Sequence, residues 1–263
     1  MNTDSSSIQN NDRELFDRIA KEYSKKDQIP SCRDARIYQL FTGMGSLGTE
    51  KIPVLIEIGC GIGASAEYLD GHFDTYIGID YSEEQIRYAY EAHKERAGRV
   101  SFLVKNIKEL GPGDVPQADV VLAVGAFHHF TELEKVFSAI TSVMKDGGRL
   151  IAIEPQRENP FVQLLRFIRT KIDKNYSSDQ YYFTGDEFKK LLLDHGFSDV
   201  EIQYQGFFSP PFAQVALYPQ AIFRPLAQCA VLLDRLCDKF LPTILKKMSW
   251  NIVARAHYTN PKK

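Results

Sequence analysis

No cysteine cluster marks the 263-residue chain: its four cysteines, Cys32, Cys60, Cys229 and Cys237, include no C-x-x-C pair. A disulfide scaffold needs paired spacing at far higher density, so reduced thiols in a cytoplasmic protein are expected. An excess of one charge is also lacking, since 32 Lys and Arg against 34 Asp and Glu leave a formal net charge of −2. Nucleic-acid binders usually carry a basic field that displaces counterions, which makes a polynucleotide partner unexpected and favours a small or uncharged ligand. The opening MNTDSSSIQNNDRELF has no basic stretch leading into an apolar one, so no secretory signal is expected. A long hydrophobic run is approached once: from Gly206 to Leu233 the sole charge is Arg224. Pro210, Pro211, Pro219 and Pro225 break that stretch, so a membrane span of about 20 apolar residues is excluded and a lid or interfacial segment is expected. No repeat with a period of 20 to 50 residues is visible, which excludes a solenoid.

What is present has globular proportions, 44% hydrophobic and 25% charged. The reading is a tail over 1–10 and a single domain over 11–258, opening with helices over 11–43. Leu15, Phe16, Ile19, Ala20 and Tyr23 recur at helical spacing, and a second helix follows Pro30. The β-branched run IPVLIEIG then reads as a strand buried on both faces. Strands over 75–80, 100–104, 118–124 and 149–153 alternate with helices over 82–97 and 131–144, which argues a parallel sheet wound on both sides. A helix over 185–195 and strands over 200–207 and 250–258 complete the pattern. Two insertions interrupt it, a lid over 157–183 and a second over 209–249. In the first, Phe161, Leu164, Leu165, Ile168 and Ile172 share one helical face, with Arg166, Arg169 and Asp173 expected to face away.

Glu57-Ile58-Gly59-Cys60-Gly61-Ile62-Gly63 stands where the first strand hands over to a helix. Glycines there allow a tight turn and close backbone approach to a ligand. Gly59, Gly61 and Ala64 also satisfy the dinucleotide pattern, so hydride transfer with NAD(P) is a competing reading. Three features weigh on the choice. Glu57 would place a negative charge beside a pyrophosphate but suits a ligand with an ammonium and a sulfonium. Asp80, at the end of the next strand, could accept hydrogen bonds from both hydroxyls of a ribose, whichever the nucleoside. The Tyr90 and Lys94 pair that a short-chain reductase would need lies on the helix after the second strand, the wrong place.

With EIGCGIG, YIGIDYS, DVVLAVGAFHHF, KDGGRLIAIEP and LLLDHGF in that order, the chain resembles the class I S-adenosylmethionine (SAM)-dependent methyltransferases, in their small-molecule branch. The resemblance spans about Phe16 to Tyr258. It implies a Rossmann-like, doubly wound α/β fold with a seven-stranded sheet whose last strand is antiparallel, carrying helical lid insertions. It also implies SAM as cofactor, with Gly59, Cys60, Gly61 and Gly63 lining the methionine portion, Glu57 setting the loop and Asp80 holding the ribose. Tyr81, Asn106, Ile107 and Gly125 join that site, Asn106 standing where the family often has an Asp beside adenine. Tyr23 would close over the methionine end.

Within this frame His128 and His129 follow the fourth strand, at the edge where open α/β sheets build sites. Imidazole suits a general base at neutral pH, needed only if the acceptor loses a proton. The bland reading leaves one or both to hydrogen-bond the loop. Glu154 could face the acceptor or fix a turn, and Tyr181 and Tyr182 could orient it. Phe208 and Phe212, with Phe207, Val215, Leu217, Tyr218, Ile222 and Phe223, could wall the cavity, which favours a lipophilic or aromatic acceptor. No carboxylate stands between Val120 and Phe130, and adjacent histidines lack helical zinc spacing, so no metal is expected. Weak association with an anionic membrane surface through Arg166, Arg169 and Lys171 is a further expectation. Apart from hydride transfer, the alternative is a catalytically inactive SAM-binding partner subunit.

Overall fold

The run at 52–58 forms the first strand, β1 (Ile52–Ile58), preceded by two helices, α1 (Ser5–Lys26) and α2 (Pro30–Met44). The computed structural model describes residues 5–49, 51–172 and 180–259. Because α1 begins at Ser5, the expected tail over 1–10 is corrected for residues 5–10, and residues 1–4 lie outside the described residues. After β1 come α3 (Ala64–Tyr68), β2 (Phe73–Asp80), α4 (Glu83–His93), β3 (Val100–Val104), β4 (Ala118–Val124), α5 (Leu133–Ser142) and β5 (Met144–Pro155). The chain continues through α6 (Pro160–Ile172), α7 (Gly185–Asp194), β6 (Phe197–Gln205), α8 (Pro210–Gln214), α9 (Gln220–Phe240), α10 (Thr243–Lys246) and β7 (Asn251–Tyr258). Local chemistry fixes several starts. Ser82 Oγ accepts from the Gln85 amide at 3.2 Å to open α4, and Thr184 with Glu187 forms a reciprocal capping box on α7.

The seven strands lie in the order β3-β2-β1-β4-β5-β7-β6. β1 pairs in parallel with β2 and β4, which continue in parallel to β3 and β5, whereas β7 runs antiparallel between β5 and β6. Strand order therefore reverses between β1 and β4, and the loops leaving their carboxyl ends diverge to opposite faces. Such a switch point opens a crevice, and ligands bind there in open α/β sheets.

Side-chain alternation along β1 sends Ile56 and Ile58 to one face and Leu55 to the other. The first face is closed by Phe137 and Ile140 of α5 with Phe188 and Leu192 of α7. The second is closed by Leu40 and Met44 of α2 with Ile86 and Ala89 of α4.

The second insertion holds a helix that its prolines obscured. Pro210 and Pro211 begin α8, Pro219 precedes α9, and these are positions where a missing N–H breaks no helical bond. Pro225 alone lies inside α9, near its start. Ala227, Ala230, Val231 and Asp234 form the buried face of α9, which lies along α2. Arg224 pairs with Asp34 at 3.0 Å, and Gln220 Oε1 accepts from the Ser31 amide at 3.0 Å.

Candidate active site

Gly59, Gly61 and Gly63 all adopt positive φ, +64°, +53° and +74°, as the chain leaves β1. A Cβ at Gly59 would lie 2.7 Å from the Ala126 Cβ, and one at Gly63 would lie 2.6 Å from the Phe102 ring. The turn can form in no other residue type without displacing its neighbours. The Gly61 N–H donates to Asp80 Oδ2 at 2.9 Å, and the Ser82 N–H donates to Asp80 Oδ1 at 2.9 Å. Asp80 thus ties the glycine loop to the end of β2. Burial pushes its carboxyl above the ordinary range, and the amides of Ser82, Gly61 and Tyr81 pull it back.

Glu57 is buried on β1 below this loop. Its carboxylate accepts from Ser65 Oγ at 2.8 Å and from the Tyr76 hydroxyl, yet burial still pushes its pKa up to about 7. A cationic group placed beside it would favour ionisation.

The crevice is a cavity of about 660 Å³. The sequence-derived residues Tyr23, Glu57, Gly59, Cys60, Asp80, Tyr81, Asn106, Ile107 and Gly125 line it. Gly61 and Gly63 do not; they shape the loop from behind. The Asn106 side-chain Oδ1 accepts from the Lys108 amide at 3.1 Å, so part of its accepting capacity is already engaged. α1 roofs this part with Phe16, Ile19 and Tyr23, and is tied to α4 by Asp17, whose carboxylate accepts from Ser82 Oγ.

Both histidines face the same cavity. His128 Nδ1 lies 2.8 Å from Glu154 Oε2, and Glu154 is fully buried. A carboxylate on that side holds the ring with Nδ1–H as donor and leaves Nε2 with a lone pair. Burial lowers the His128 pKa to about 4, with His129 adding in the same direction and Glu154 opposing. The ring is therefore neutral at physiological pH. Tyr182 stacks on it at 5.5 Å between centroids, and the Arg166 guanidinium lies 3.8 Å from the Tyr182 ring centroid. His129 sits edge-on to Phe16 at 5.1 Å, which links the loop after β4 to the α1 roof.

Four substrate-contact expectations are corrected. Glu154 does not line the cavity: it accepts from the Ala126 and Phe127 amides, each at 2.9 Å, and from His128, so it organises the loop after β4. Tyr181 points away, its hydroxyl within 3.5 Å of Glu187, while its N–H donates to the His128 carbonyl at 3.0 Å. Phe208 and Phe212 also lie off the cavity. The buried Asp234 carboxylate accepts from the amides of Phe207 and Phe208 at 2.9 Å and Ser209 at 3.0 Å, fixing that loop with Phe208 half exposed. Of the expected apolar wall, Val215 alone lines the cavity.

The first lid is inverted relative to expectation. Val162, Leu165, Arg166 and Arg169 line the cavity, whereas Phe161, Leu164, Phe167 and Ile168 are exposed; Asp173 lies outside the described residues. The expectation assumed a helix packed on a core, but α6 has the cavity on one side and solvent on the other. Sequence reasoning also missed Arg36 of α2, Pro210 and Pro211 of α8, and Trp250 at the foot of β7. The available signal was positional: Trp250 and Pro155 flank the paired ends of β7 and β5 at the rim.

Comparisons with known proteins agree with this geometry. A family model described as a methyltransferase domain matches residues 56–152, from β1 through most of β5. Tocopherol O-methyltransferase of Arabidopsis thaliana is 27% identical over 169 residues, 58% of this chain and 46% of the relative. Demethylmenaquinone methyltransferase of Tropheryma whipplei is 27% identical over 177 residues, 64% and 70% of the two chains. The chain spans about half the length of the first curated relatives it matches. A Thermotoga maritima SAM-dependent methyltransferase, titled a possible histamine N-methyltransferase, superposes with a TM-score of 0.62 at 18% identity, over 93% of this chain and 98% of that one, and shows a shared fold. With a methyltransferase-domain match over residues 56–152, its curated relatives, its sheet order and its glycine loop, the chain is similar to the class I SAM-dependent methyltransferases and shares their fold.

Proposed function

We propose that the protein transfers the methyl group of SAM to a small lipophilic or aromatic acceptor that loses a proton in the reaction, with His128 as the base. The observation that carries this reading is the His128 and Glu154 pair, closed at 2.8 Å, on the same cavity as the glycine loop and Asp80. When bound, SAM supplies an electrophilic methyl on a sulfonium, attacked in line by the acceptor. The loop at 59–63, Asp80 and Glu57 fit its amino-acid and ribose portions, because the loop admits no side chain and the two buried acids face the cavity. Tyr182, Leu165 and Val162 would orient the acceptor and exclude water, and orientation supplies much of the rate in such a displacement.

His128 needs to be neutral rather than strongly basic, because the acceptor becomes acidic as its bond to the methyl forms. Nε2 then takes the proton, and Glu154 across the ring stabilises the imidazolium. His129, at the Phe16 contact, holds the roof and is assigned no proton transfer. Support for a lipophilic acceptor comes from the cavity wall of Phe16, Ile19, Val162, Leu165, Val215 and Trp250. The names of the tocopherol and demethylmenaquinone methyltransferases point the same way. Hydride transfer finds no support: the Tyr90 hydroxyl donates to the Phe102 carbonyl at 2.6 Å, and neither Tyr90 nor Lys94 lines the cavity.

The test is a panel of candidate acceptors incubated with SAM and read by mass spectrometry for a gain of one methyl. A product with wild type, lowered about 10² to 10⁴-fold in His128→Ala while calorimetric SAM affinity is kept, is the expected result. SAM binding without turnover across the panel would instead favour the inactive partner subunit.

A further inference from the structure

The two insertions carry an exposed surface that methyl transfer does not use. On α6, Phe161, Leu164, Phe167 and Ile168 are 59%, 53%, 61% and 45% exposed. On α9, Ile222, Leu226, Leu233, Leu236 and Phe240 form a stripe at spacings of three, four and seven, each close to half exposed or more. Exposed Ile244 and Leu245 follow on α10, and Met248 just after it, Ile244 at 78%. The start of α6 lies beside the end of the second insertion: Gln156 Nε2, just ahead of α6, donates to the carbonyls of Lys247 at 3.0 Å and Ser249 at 2.7 Å. None of the described helices is long and apolar enough to cross a membrane, so burial would have to be in the plane of a surface.

Charge identifies the occupant. Residues 160–172 and 220–249 hold eight Lys and Arg but two acids, in a chain whose total is −2. Those acids are turned inward, Asp234 buried under the amides of 207–209 and Asp238 accepting from the Tyr38 hydroxyl. The exposed charged positions of these segments, Arg169, Lys171, Arg224, Arg235 and Lys239, are therefore all basic, with Arg224 among them paired to Asp34. The spacing on α9 would also suit a helix of a second copy, but that pairing sets like charges opposite one another. An anionic lipid surface satisfies both features.

We infer that α6, α9 and α10 form a docking face for an anionic bilayer, with the first two helices lying in its interface. Val162 and Leu165 line the cavity from the helix whose other side would meet the lipid, so an acceptor could pass from bilayer to cavity around α6. That last step rests on the proposed lipophilic acceptor; the docking itself does not.

Co-sedimentation of the full chain with vesicles tests it, without turnover. Vesicles of phosphatidylcholine with about one third phosphatidylglycerol should bind at least about tenfold more protein than phosphatidylcholine alone, and high salt should erase the difference. Phe167→Asp with Phe240→Asp, and separately Lys171→Glu with Lys239→Glu, should each cut binding about tenfold or more while calorimetric affinity for S-adenosylhomocysteine stays unchanged. No binding to either vesicle, equal binding to both, or loss of vesicle binding in a stable dimer that Leu233→Asp dissociates overturns the inference. Unchanged S-adenosylhomocysteine affinity in those cases would leave the methyltransferase reading standing.

Discussion

At the scale of single residues, the site turns on two titrating groups whose surroundings push them in opposite directions. His128 falls to about 4, so its neutral form persists throughout the usual assay range and is lost only below about pH 4. The rate at saturating SAM, where Glu57 no longer titrates, should therefore lack the acid limb near 6.5 that an unperturbed histidine gives, in a pH profile of kcat. Glu154→Gln should move the His128 titration further down, since the carboxylate is what raises it, and should lower kcat about 10- to 100-fold. A limb at 6.5 in wild type would remove the buried-base reading. Glu57 moves the other way, up to about 7, and so is largely protonated just below neutrality. Since a cation beside it favours the carboxylate, SAM binding at about pH 6.5 should release on the order of half a proton. Calorimetry in buffers of different ionisation enthalpy reads this directly, and Glu57→Gln should abolish it. The sign for stability is also set. Raised folded pKa means that the Glu57 contribution is present below about 4.5 and is lost as pH rises through about 7.

Among the elements, the glycine loop is the one whose backbone cannot be altered without cost to the cavity. Gly59→Ala meets both a positive φ and the Ala126 Cβ at 2.7 Å. It should cost about 1–3 kcal/mol in a denaturant melt and weaken SAM binding about tenfold or more. Gly71 is the control: its φ is +91° but open space surrounds its added Cβ, so Gly71→Ala should show strain with unchanged SAM affinity. The strands around this loop were legible because β-branched runs ended by glycine or an acid are short and unambiguous. α9 was not, because proline was weighed as a breaker when Pro219 and Pro225 stand at or near a helix start. The orientation of α6 was illegible for a different reason. An apolar stripe normally points inward, and only the tertiary position of α6 at the cavity rim puts Arg166 inside and Phe167 outside. Glu154 was ambiguous until the β4 and β5 register, Val124 opposite Ile153, brought its carboxylate under the loop after β4.

At the scale of the whole molecule, the cavity is assembled from parts far apart in sequence: the switch point of the sheet, α1 as roof, α6 and α8 as walls and Trp250 as rim. The half beside the glycine loop was readable because its residues follow strand ends in a recurring pattern. The opposite half was not, because its wall is made by whichever side chains the insertions happen to turn inward. That wall predicts how acceptor size should matter. Each methylene moved from water into an apolar enclosure contributes about 0.8 kcal/mol, which is about fourfold in kcat/KM if the transition state keeps the contact. Along a series of acceptors with the same reacting group and lengthening alkyl or ring substituents, kcat/KM should climb by up to about that factor per carbon and then level off as the cavity of about 660 Å³ fills. Leu165→Ala should flatten the climb, because Leu165 borders the cavity on α6, while leaving SAM affinity unchanged. A flat series in the wild type, or a preference for the smallest polar members, would show that the apolar side chains serve only to hold the lid and would sink the assignment of a lipophilic acceptor.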